Sequence, residues 1–544
     1  MDFQRRTLLA IVVCVGIWLV YERFLAPPLP EPKKDQPAAT AKKAEEDAKA
    51  EEAKAEERKT AAAAGPKVPV AEHRLATELI ALDVTNYRGL IKGTELLSPH
   101  FKGPSGKGDD FLSLGSQRSL VIGFDGGETD FKFPREPGWE PTGAKSDKDW
   151  SVAFRNTDVE VTSALKVTGG YEGVLTIDVV NRAAEAQQHR LLLTSAYGLA
   201  AEESSYDIHR GVCATADDVE AFSQGDVKET SGEIRGRIRW TALDSKYFAH
   251  AVVPAEGQPM TSCKISLSND GKAMTATIGA EPVTLGPGEK HSYTFGVYFG
   301  TKELELLEKF AAVPGAHLDD VIDWGWFGGL NRLLGEWMLW LLRVFYNLTG
   351  VWGVAIILLT IVVKVLTLPL TFKQMRSMKK MREIQPELEE LKRKYAEDRV
   401  RQAQEMQALF QRSGVNPLAG CLPLLVQMPI WIALYATLNS AVELYRVPFL
   451  WLPDLTQQDP FYILPLAMGA LMFVQMKATP SGVDNEQARM MAWMMPIIFT
   501  VMMLFLPSGL GVYIFANVLL SLIQTMIQVR PSQSTPAKKS QETN

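Results

Sequence analysis

Apolar and polar positions divide the chain into two unlike parts. Up to about residue 323 the sequence is hydrophilic, and from about Val70 to Gly300 it alternates apolar and polar residues in short runs separated by Gly, Asp and Asn. Such alternation is typical of antiparallel strands with one buried face, and turns at this spacing favour a sandwich over a βαβ fold. The sequence therefore predicts an all-β sandwich domain over residues 70–312.

Beyond residue 323 the sequence is dominated by apolar runs. The run from Trp352 to Pro369 carries one charge, Lys364, and predicts a transmembrane helix over residues 351–371. Four further spans are predicted within residues 418–530, at about Leu418–Leu438, Phe461–Met476, Met490–Leu506 and Gly509–Val529. The predicted fold class is a polytopic α-helical membrane protein joined to a large all-β domain.

The first residues predict a sixth crossing. An apolar run from Thr7 to Val20 follows Arg5 and Arg6, as in a secretory signal, but no A-x-A cleavage pattern comes after it. We therefore expect an uncleaved signal anchor over residues 1–26. Residues 27–69 form a low-complexity linker, which a disordered tether and a partly helical spacer would both explain.

Loop charge predicts how the spans are oriented. The segment from Lys373 to Arg412 holds eleven Lys and Arg, whereas residues 441–460 hold a single basic residue, Arg446. By the positive-inside rule the basic loop is cytoplasmic and the β domain lies outside. With six crossings both termini are cytoplasmic, including the short tail 531–544.

The pattern of charged and apolar residues in segment 324–347 predicts an amphipathic helix in the membrane surface rather than a further span. Arg332, Glu336 and Arg343 fall on one side of a helical wheel, within a segment that is otherwise apolar. Tryptophans that suit the headgroup zone lie in the same segment.

The basic loop, residues 372–415, predicts a helical hairpin. Pro386 suits a first helical turn, and a second helix from Arg399 to Arg412 would end at Ser413-Gly414. A solvated connector and a docking surface for a partner or for anionic lipid would both explain the hairpin. The candidate docking residues are Lys379, Lys380, Arg382, Lys392, Arg393 and Lys394.

Composition narrows the chemistry. All seven His precede the apolar C-terminal part, so that part has no His for a metal site or a proton relay. No catalytic constellation is found, and the four Cys show no CxxC or Cys/His spacing, so we predict neither metal nor cofactor. Cys213 and Cys263 fall in the outer domain, where a disulfide and two independent buried thiols are both compatible with the sequence.

Polar residues at helical spacing predict an internal groove. Three of them share one face of the 351–371 span, four form a stripe along the last span, and one lies on a third span. Interhelical hydrogen bonds alone would explain the amides, and snorkelling would explain Lys364, whereas a bundle around a partly wet cavity explains the whole set. The candidate groove residues are Thr360, Lys364, Thr367, Gln427, Tyr513, Asn517, Ser521 and Gln524.

Several of these segments together resemble the YidC-type membrane protein insertases of the long Gram-negative form. The segments are VNPLAGCLPLLVQMPIWIALY from Val415, DPFYILPLAMG from Asp459 and PSGLGVYIFANVLLSLIQ from Pro507, with the lone base Lys364 ahead of TLPLTFKQMRSMKKM. The resemblance implies a five-helix insertase core with a groove open to the cytoplasm and to lipid, and a periplasmic β domain. In it Lys364 matches a groove base that is arginine in many members, and Thr360 and Tyr513 match groove residues.

The resemblance implies a function without covalent chemistry. A chaperone of this kind passes nascent membrane proteins from the ribosome into the bacterial inner membrane, alone or with components of the Sec translocon. The implied partners are therefore nascent membrane proteins, the ribosome, Sec components and the lipid bilayer, with no specific nucleic acid. A polytopic transporter with an outer solute-binding domain is the alternative, although the sequence shows neither paired intramembrane charges nor inverted repeats.

Overall fold

The computed structural model describes residues 68–102, 107–134, 136–143, 146–199, 209–228, 231–324, 328–414, 430, 432–438, 441–478 and 486–528. The predicted anchor 1–26, nearly all of the linker 27–69, the tail 531–544 and Gln427 lie outside these residues. Within them an antiparallel β domain precedes a group of helices, in the order that the hydropathy pattern predicts.

Two large sheets form the β domain. The nine-stranded sheet runs in spatial order β12 (Val219–Ser223), β11 (Arg210–Thr215), β14 (Ile238–Asp244), β15 (Phe248–Pro254), β19 (Lys290–Thr301), β8 (Glu172–Asn181), β7 (Val159–Gly169), β6 (Asp149–Arg155) and β5 (Glu140–Thr142). The five-stranded sheet runs β13 (Gly232–Arg235), β16 (Met260–Leu267), β17 (Ala273–Ala280), β10 (Leu191–Gly198) and β4 (Val121–Phe124). Smaller sheets join β1 (Glu72–Ala76), β2 (Ile80–Thr85) and β3 (Ile91–Leu96), and β9 (Gln187–His189) with β18 (Val283–Leu285).

The alternation in the sequence is the origin of the sandwich core. Along β8 the side chains of Leu175, Ile177 and Val179 are fully buried, while the intervening Thr176 and Asp178 are only partly buried. Leu175 pairs with Phe295 of β19, so apolar cross-strand pairs line the inner face. The predicted all-β sandwich is therefore confirmed.

A disulfide joins the two large sheets. The sulfur atoms of Cys213 on β11 and Cys263 on β16 are bonded, with their Cα atoms 6.1 Å apart. Both side chains are fully buried. Of the two alternatives that the sequence leaves open, the structure has the disulfide.

The helices follow the β domain. They are α1 (Leu304–Glu308), α2 (Gly328–Thr349), α3 (Trp352–Glu383), α4 (Gln385–Lys394), α5 (Arg399–Arg412), α6 (Ile463–Ala478), α7 (Glu486–Met503) and α8 (Ser508–Gln528), with a further helical stretch at 432–438. Short 3-10 turns lie at Pro99–Phe101, Leu318–Val321 and Val442–Leu444. Among the described residues, two segments are long and apolar enough to cross a membrane, Trp352–Phe372 and Ser508–Ile527.

Local signals set the limits of the predicted hairpin. Asp398 caps α5 by accepting a hydrogen bond from the backbone N–H of Arg401 at 3.0 Å, and Gly414 adopts a φ of 60° just beyond its end. The apolar part of α3 is Trp352–Phe372, and beyond it the helix continues to Glu383 within the predicted hairpin segment. The helix includes Pro369, so span and hairpin share one continuous helix.

Helix α2 has two unlike faces. Leu333, Trp340 and Leu348 are among its exposed apolar residues, as expected for a helix against lipid. Its charged face is only partly exposed and forms ion pairs, since Arg332 pairs with Asp319 at 2.6 Å and Arg343 pairs with Glu443 at 2.7 Å. The charges that make the sequence amphipathic therefore attach α2 to neighbouring segments.

Candidate functional site

The candidate site lies where α3 meets α8. The ammonium of Lys364 donates a hydrogen bond to the hydroxyl of Ser521 at 2.6 Å and a longer one to the amide oxygen of Asn517 at 3.4 Å. Asn517 and Ser521 are one turn apart on α8, so their oxygens face the same point on α3. The structure thus joins three of the residues that the two predicted polar stripes contain.

The hydroxyl groups around Lys364 are committed as donors to their own helices. The Ser521 hydroxyl donates to the Asn517 carbonyl at 2.7 Å, the Thr360 hydroxyl to the Ile356 carbonyl at 2.7 Å, and the Thr367 hydroxyl to the Val363 carbonyl at 3.0 Å. Each hydroxyl oxygen keeps lone pairs that can accept a hydrogen bond. The stripe therefore presents acceptors to the ammonium.

The charge of Lys364 is solvated but not neutralised. Its ammonium is partly exposed, and it forms no ion pair with any carboxylate in the part of the chain that the structure describes. Lys302 of the β domain is a useful contrast, since this lysine is buried and its ammonium lies 2.6 Å from the carboxylate of Asp244. A buried structural lysine carries a counter-ion, whereas Lys364 leaves its charge available to a bound molecule.

The remaining predicted groove residues lie in different surroundings. Thr360 and Tyr513 are buried, and Tyr513 packs in the helical core with Leu434 and Met468. Gln524 is partly buried, and its side-chain nitrogen has no hydrogen-bond partner among the described residues. Tyr513 therefore belongs to the closed, packed side of the helices rather than to an open wall.

The hairpin exposes basic side chains. Lys380, Lys392, Arg393 and Lys394 are exposed, and none of them forms an ion pair within the described ranges. The side chains of Lys379 and Arg382 are not among those that the structure describes. Gln402 of α5 donates from its side-chain nitrogen to the Lys392 carbonyl at 3.0 Å, which joins the two arms. The arrangement is a braced, positively charged surface.

Within the described part of the chain, no group of three or more His, Cys, Asp or Glu side chains is arranged to hold a metal ion.

The sequence did not reveal the importance of residues 441–462, which we call the outer loop. It follows the helical stretch 432–438 and leads into α6. Its Val442 side chain is buried in the core of the β domain, and its Tyr445 ring lies against Phe248 of β15. A short acidic loop with one Tyr-Arg pair carries no local signal for such packing.

Comparison with known proteins gives two matching family models. Residues 118–341 match a family described as YidC periplasmic domain, and residues 344–535 match one described as 60Kd inner membrane protein. The junction between the two matches falls inside α2.

Individual similar proteins agree with these matches. The membrane protein insertase YidC of Anaeromyxobacter dehalogenans is 43% identical over 332 residues, which cover 61% of this chain and 59% of the relative. The matched part thus spans less than two thirds of that relative. The membrane protein insertase YidC of Geotalea daltonii is 30% identical over 559 residues, covering 98% of this chain and 100% of the relative. A crystal structure of active YidC insertase with its first transmembrane domain resolved covers 86% of this chain and 95% of its own at 20% identity, with a TM-score of 0.36.

Proposed function

Because the chain belongs to the YidC family, we propose that it is a membrane protein insertase of the bacterial inner membrane that inserts nascent membrane proteins and helps them fold. The observation that carries the proposal is the ammonium of Lys364, held by Ser521 and Asn517 without a carboxylate partner among the described residues. A fixed cation without a counter-ion, placed between two apolar helices, can bind a polar segment of a substrate for a short time.

The electrostatic magnitude is adequate for this role. An acidic or polar flank of a substrate that enters the membrane costs about 2.5 to 3.5 kcal/mol per charge at the centre of a helix. An opposite charge at about 4 Å returns about 4 kcal/mol at an effective dielectric constant of about 20. Because Lys364 is partly exposed, one contact with it returns about 2 kcal/mol, which offsets most of the entry cost of one carboxylate without binding it so tightly that it stays.

Release requires an apolar route. Val365 and Leu366 of α3 and Ile523 of α8 are exposed beside Lys364 and Ser521, so an apolar segment can leave the site along lipid-facing side chains. No covalent intermediate is needed, and the protein acts by lowering the cost of one polar step. In this proposal Thr367, Gln524 and Gln427, the last of which lies outside the described residues, add polar groups for water in the groove.

The proposed topology has six crossings, with both termini cytoplasmic and the β domain periplasmic. The disulfide between Cys213 and Cys263 supports the outer position of the domain, since such bonds persist in the periplasm and are rare in the cytoplasm. The exposed apolar face of α2 supports its position in the membrane surface. The basic hairpin would then face the cytoplasm, where it would dock the ribosome, and the protein would act alone or beside Sec components.

The transporter alternative receives less support. Coupled transport relies on paired ionisable groups near the middle of the membrane, and Lys364 has no ionic partner among the described residues.

A crosslinking experiment tests the proposal. A photoreactive residue at position 367 should form adducts with a single-span substrate during translation, and a matched residue at the exposed position 348 of α2 should form fewer. Lys364→Glu should abolish the adducts at position 367, while Lys364→Arg should keep them, because only the first reverses the charge. Normal insertion by the Lys364→Glu protein would reject the groove mechanism.

A further inference from the structure

The outer loop, residues 441–462, contacts both the β domain and the outer ends of the helices. Two residues near its start are seated in the β domain, and its later residues hold the first turns of three helices. Most of these contacts are between segments far apart in the sequence, and together they make the loop a structural joint.

In the first half of the loop, the Tyr445 side chain is a plug that inserts among aromatic rings of the β domain, and we call these rings the aromatic socket. The Tyr445 ring lies 5.1 Å from Tyr247, 5.6 Å from Phe248 and 6.0 Å from Phe101, measured between ring centroids. Its hydroxyl donates to the Asp109 carboxylate at 3.3 Å. Ring contacts of this kind stabilise by about 0.5 to 1.5 kcal/mol each beyond the buried area, so the socket fixes the loop firmly to the domain.

Charged groups reinforce the plug. The Arg446 guanidinium covers the Tyr445 ring at 5.2 Å and pairs with the Asp109 carboxylate at 3.0 Å. Next to it, Glu443 pairs with Arg343 of α2, which also contacts Glu303 just before α1 at 3.2 Å. The β domain, α2 and the outer loop therefore meet through one guanidinium as well as through the aromatic socket.

The second half of the loop holds helix ends. The Phe449 ring lies against α3 at Gly353, where an added Cβ would be 2.2 Å from the ring. The carbonyl of Leu455 accepts from the Gly509 N–H at 2.7 Å, and the carbonyl of Gln457 accepts from the Ser508 N–H at 2.7 Å, which fixes the start of α8. Asp459 likewise accepts from the Leu464 N–H at 2.7 Å in the first turn of α6.

We propose that the outer loop is the joint through which the β domain sets the spacing of α3 and α8 at the Lys364 site, with Tyr445 as its positioning residue. The geometry favours this reading because the two anchors lie at matched depths. Gly353 precedes Lys364 by about 16 Å of helix, and Gly509 precedes Ser521 by about 18 Å, at a rise of about 1.5 Å per residue. A shift of either anchor therefore changes the distance between the ammonium and its acceptors.

The biological role of this joint rests on the proposed function, but its existence does not, because the test measures a distance between helices and not insertion. Spin labels at positions 365 and 523, both exposed to lipid, would report the α3 to α8 separation of the full-length protein in lipid nanodiscs. Cys14 and Cys421 are replaced by Ser so that only the introduced cysteines react. We expect one narrow distance peak, and a broader distribution with a longer second component in Tyr445→Ala.

Two matched variants separate the joint from a general loss of packing. Tyr445→Phe keeps the ring in the socket and should keep the narrow peak, and Phe461→Ala removes an exposed aromatic ring of the same loop and should also keep it. If Tyr445→Ala fails to fold, Arg446→Gln with Asp109→Asn removes the charged reinforcement alone and should still broaden the peak.

An unchanged peak in a folded Tyr445→Ala protein would overturn the proposal, as would equal broadening in Phe461→Ala. The result is distinguishable from a failure of the proposed function. Should Lys364→Glu insert substrates normally while Tyr445→Ala broadens the peak, the insertase mechanism fails and the joint remains. The reverse pair of results leaves the mechanism and removes the joint.

Discussion

Neutralising Lys364 should impair insertion in proportion to the acidic charge of the substrate. The ammonium has hydroxyl and amide acceptors but no carboxylate partner among the described residues, so its attraction is available to a substrate carboxylate. At about 4 Å the attraction is about 1 kcal/mol in water and about 4 kcal/mol at an effective dielectric constant of about 20. Lys364 is partly exposed, so we take about 2 kcal/mol, which corresponds to about 30-fold in efficiency per carboxylate.

The assay compares Lys364→Gln with the parent protein in proteoliposomes. Three substrates differ only in carrying zero, one or two Asp residues in the translocated flank, and the initial rate of insertion is measured for each. We expect less than a threefold loss for the neutral flank and about a 30-fold loss for the flank with one Asp. Lys364→Arg should behave nearly like the parent, because the charge is kept.

One result would refute the electrostatic reasoning. If Lys364→Gln slows all three substrates by the same factor, the side chain contributes packing or hydration but does not pair with substrate charge. Raising the salt concentration provides a control, since a partly exposed attraction should weaken with ionic strength while a packing defect should not.

Three further predictions concern stability. Replacing Cys213 and Cys263 by Ser should destabilise the β domain by about 4 kcal/mol, given the 50-residue separation of the bridge, and equal unfolding temperatures by calorimetry would contradict this. Burial lowers the pKa of His250 to about 4 from an unfolded value near 6.5, so between these values the unfolded chain binds a proton that the folded chain does not. The contribution of His250 to the free energy of unfolding is therefore fully present above pH 6.5 and falls by about 3 kcal/mol toward pH 4. Denaturant titrations at several pH values should show this slope in the parent protein and a flatter one in His250→Asn. Gly469→Val should cost about 1 to 3 kcal/mol, because even a Cβ there would lie 2.3 Å from the Thr500 hydroxyl of α7, and detergent melts should show it while Phe461→Ala does not.

Features that depend on near neighbours in the chain could be predicted from the sequence. The start of α5 at Arg399 follows from Asp398 as its cap, and its end follows from Gly414. The sandwich likewise follows from strict alternation, as in β8. In these places local chemistry and the final fold favour the same structure.

The outer loop could not be predicted, because its contacts join distant segments. Tyr445 and Asp109 are 336 residues apart, and nothing near Tyr445 in the sequence indicates its socket. Tyr513 illustrates a related limit. Helical spacing places Tyr513 on the same stripe as Asn517. It does not show where along their length the helices pack tightly together, so the burial of the Tyr513 ring could not be predicted.

The continuity of α3 has a mechanical consequence. From Lys364 to its end at Glu383 the helix extends about 28 Å, so one helix carries both the ammonium and the start of the hairpin. Pro369 interrupts the hydrogen bonds of this helix one turn beyond Lys364, since its missing N–H leaves the Val365 carbonyl without an intrahelical partner. A force on the hairpin would then bend the helix at Pro369. Less of the hairpin's movement would reach Lys364, because the flexible turn at Pro369 takes up part of it.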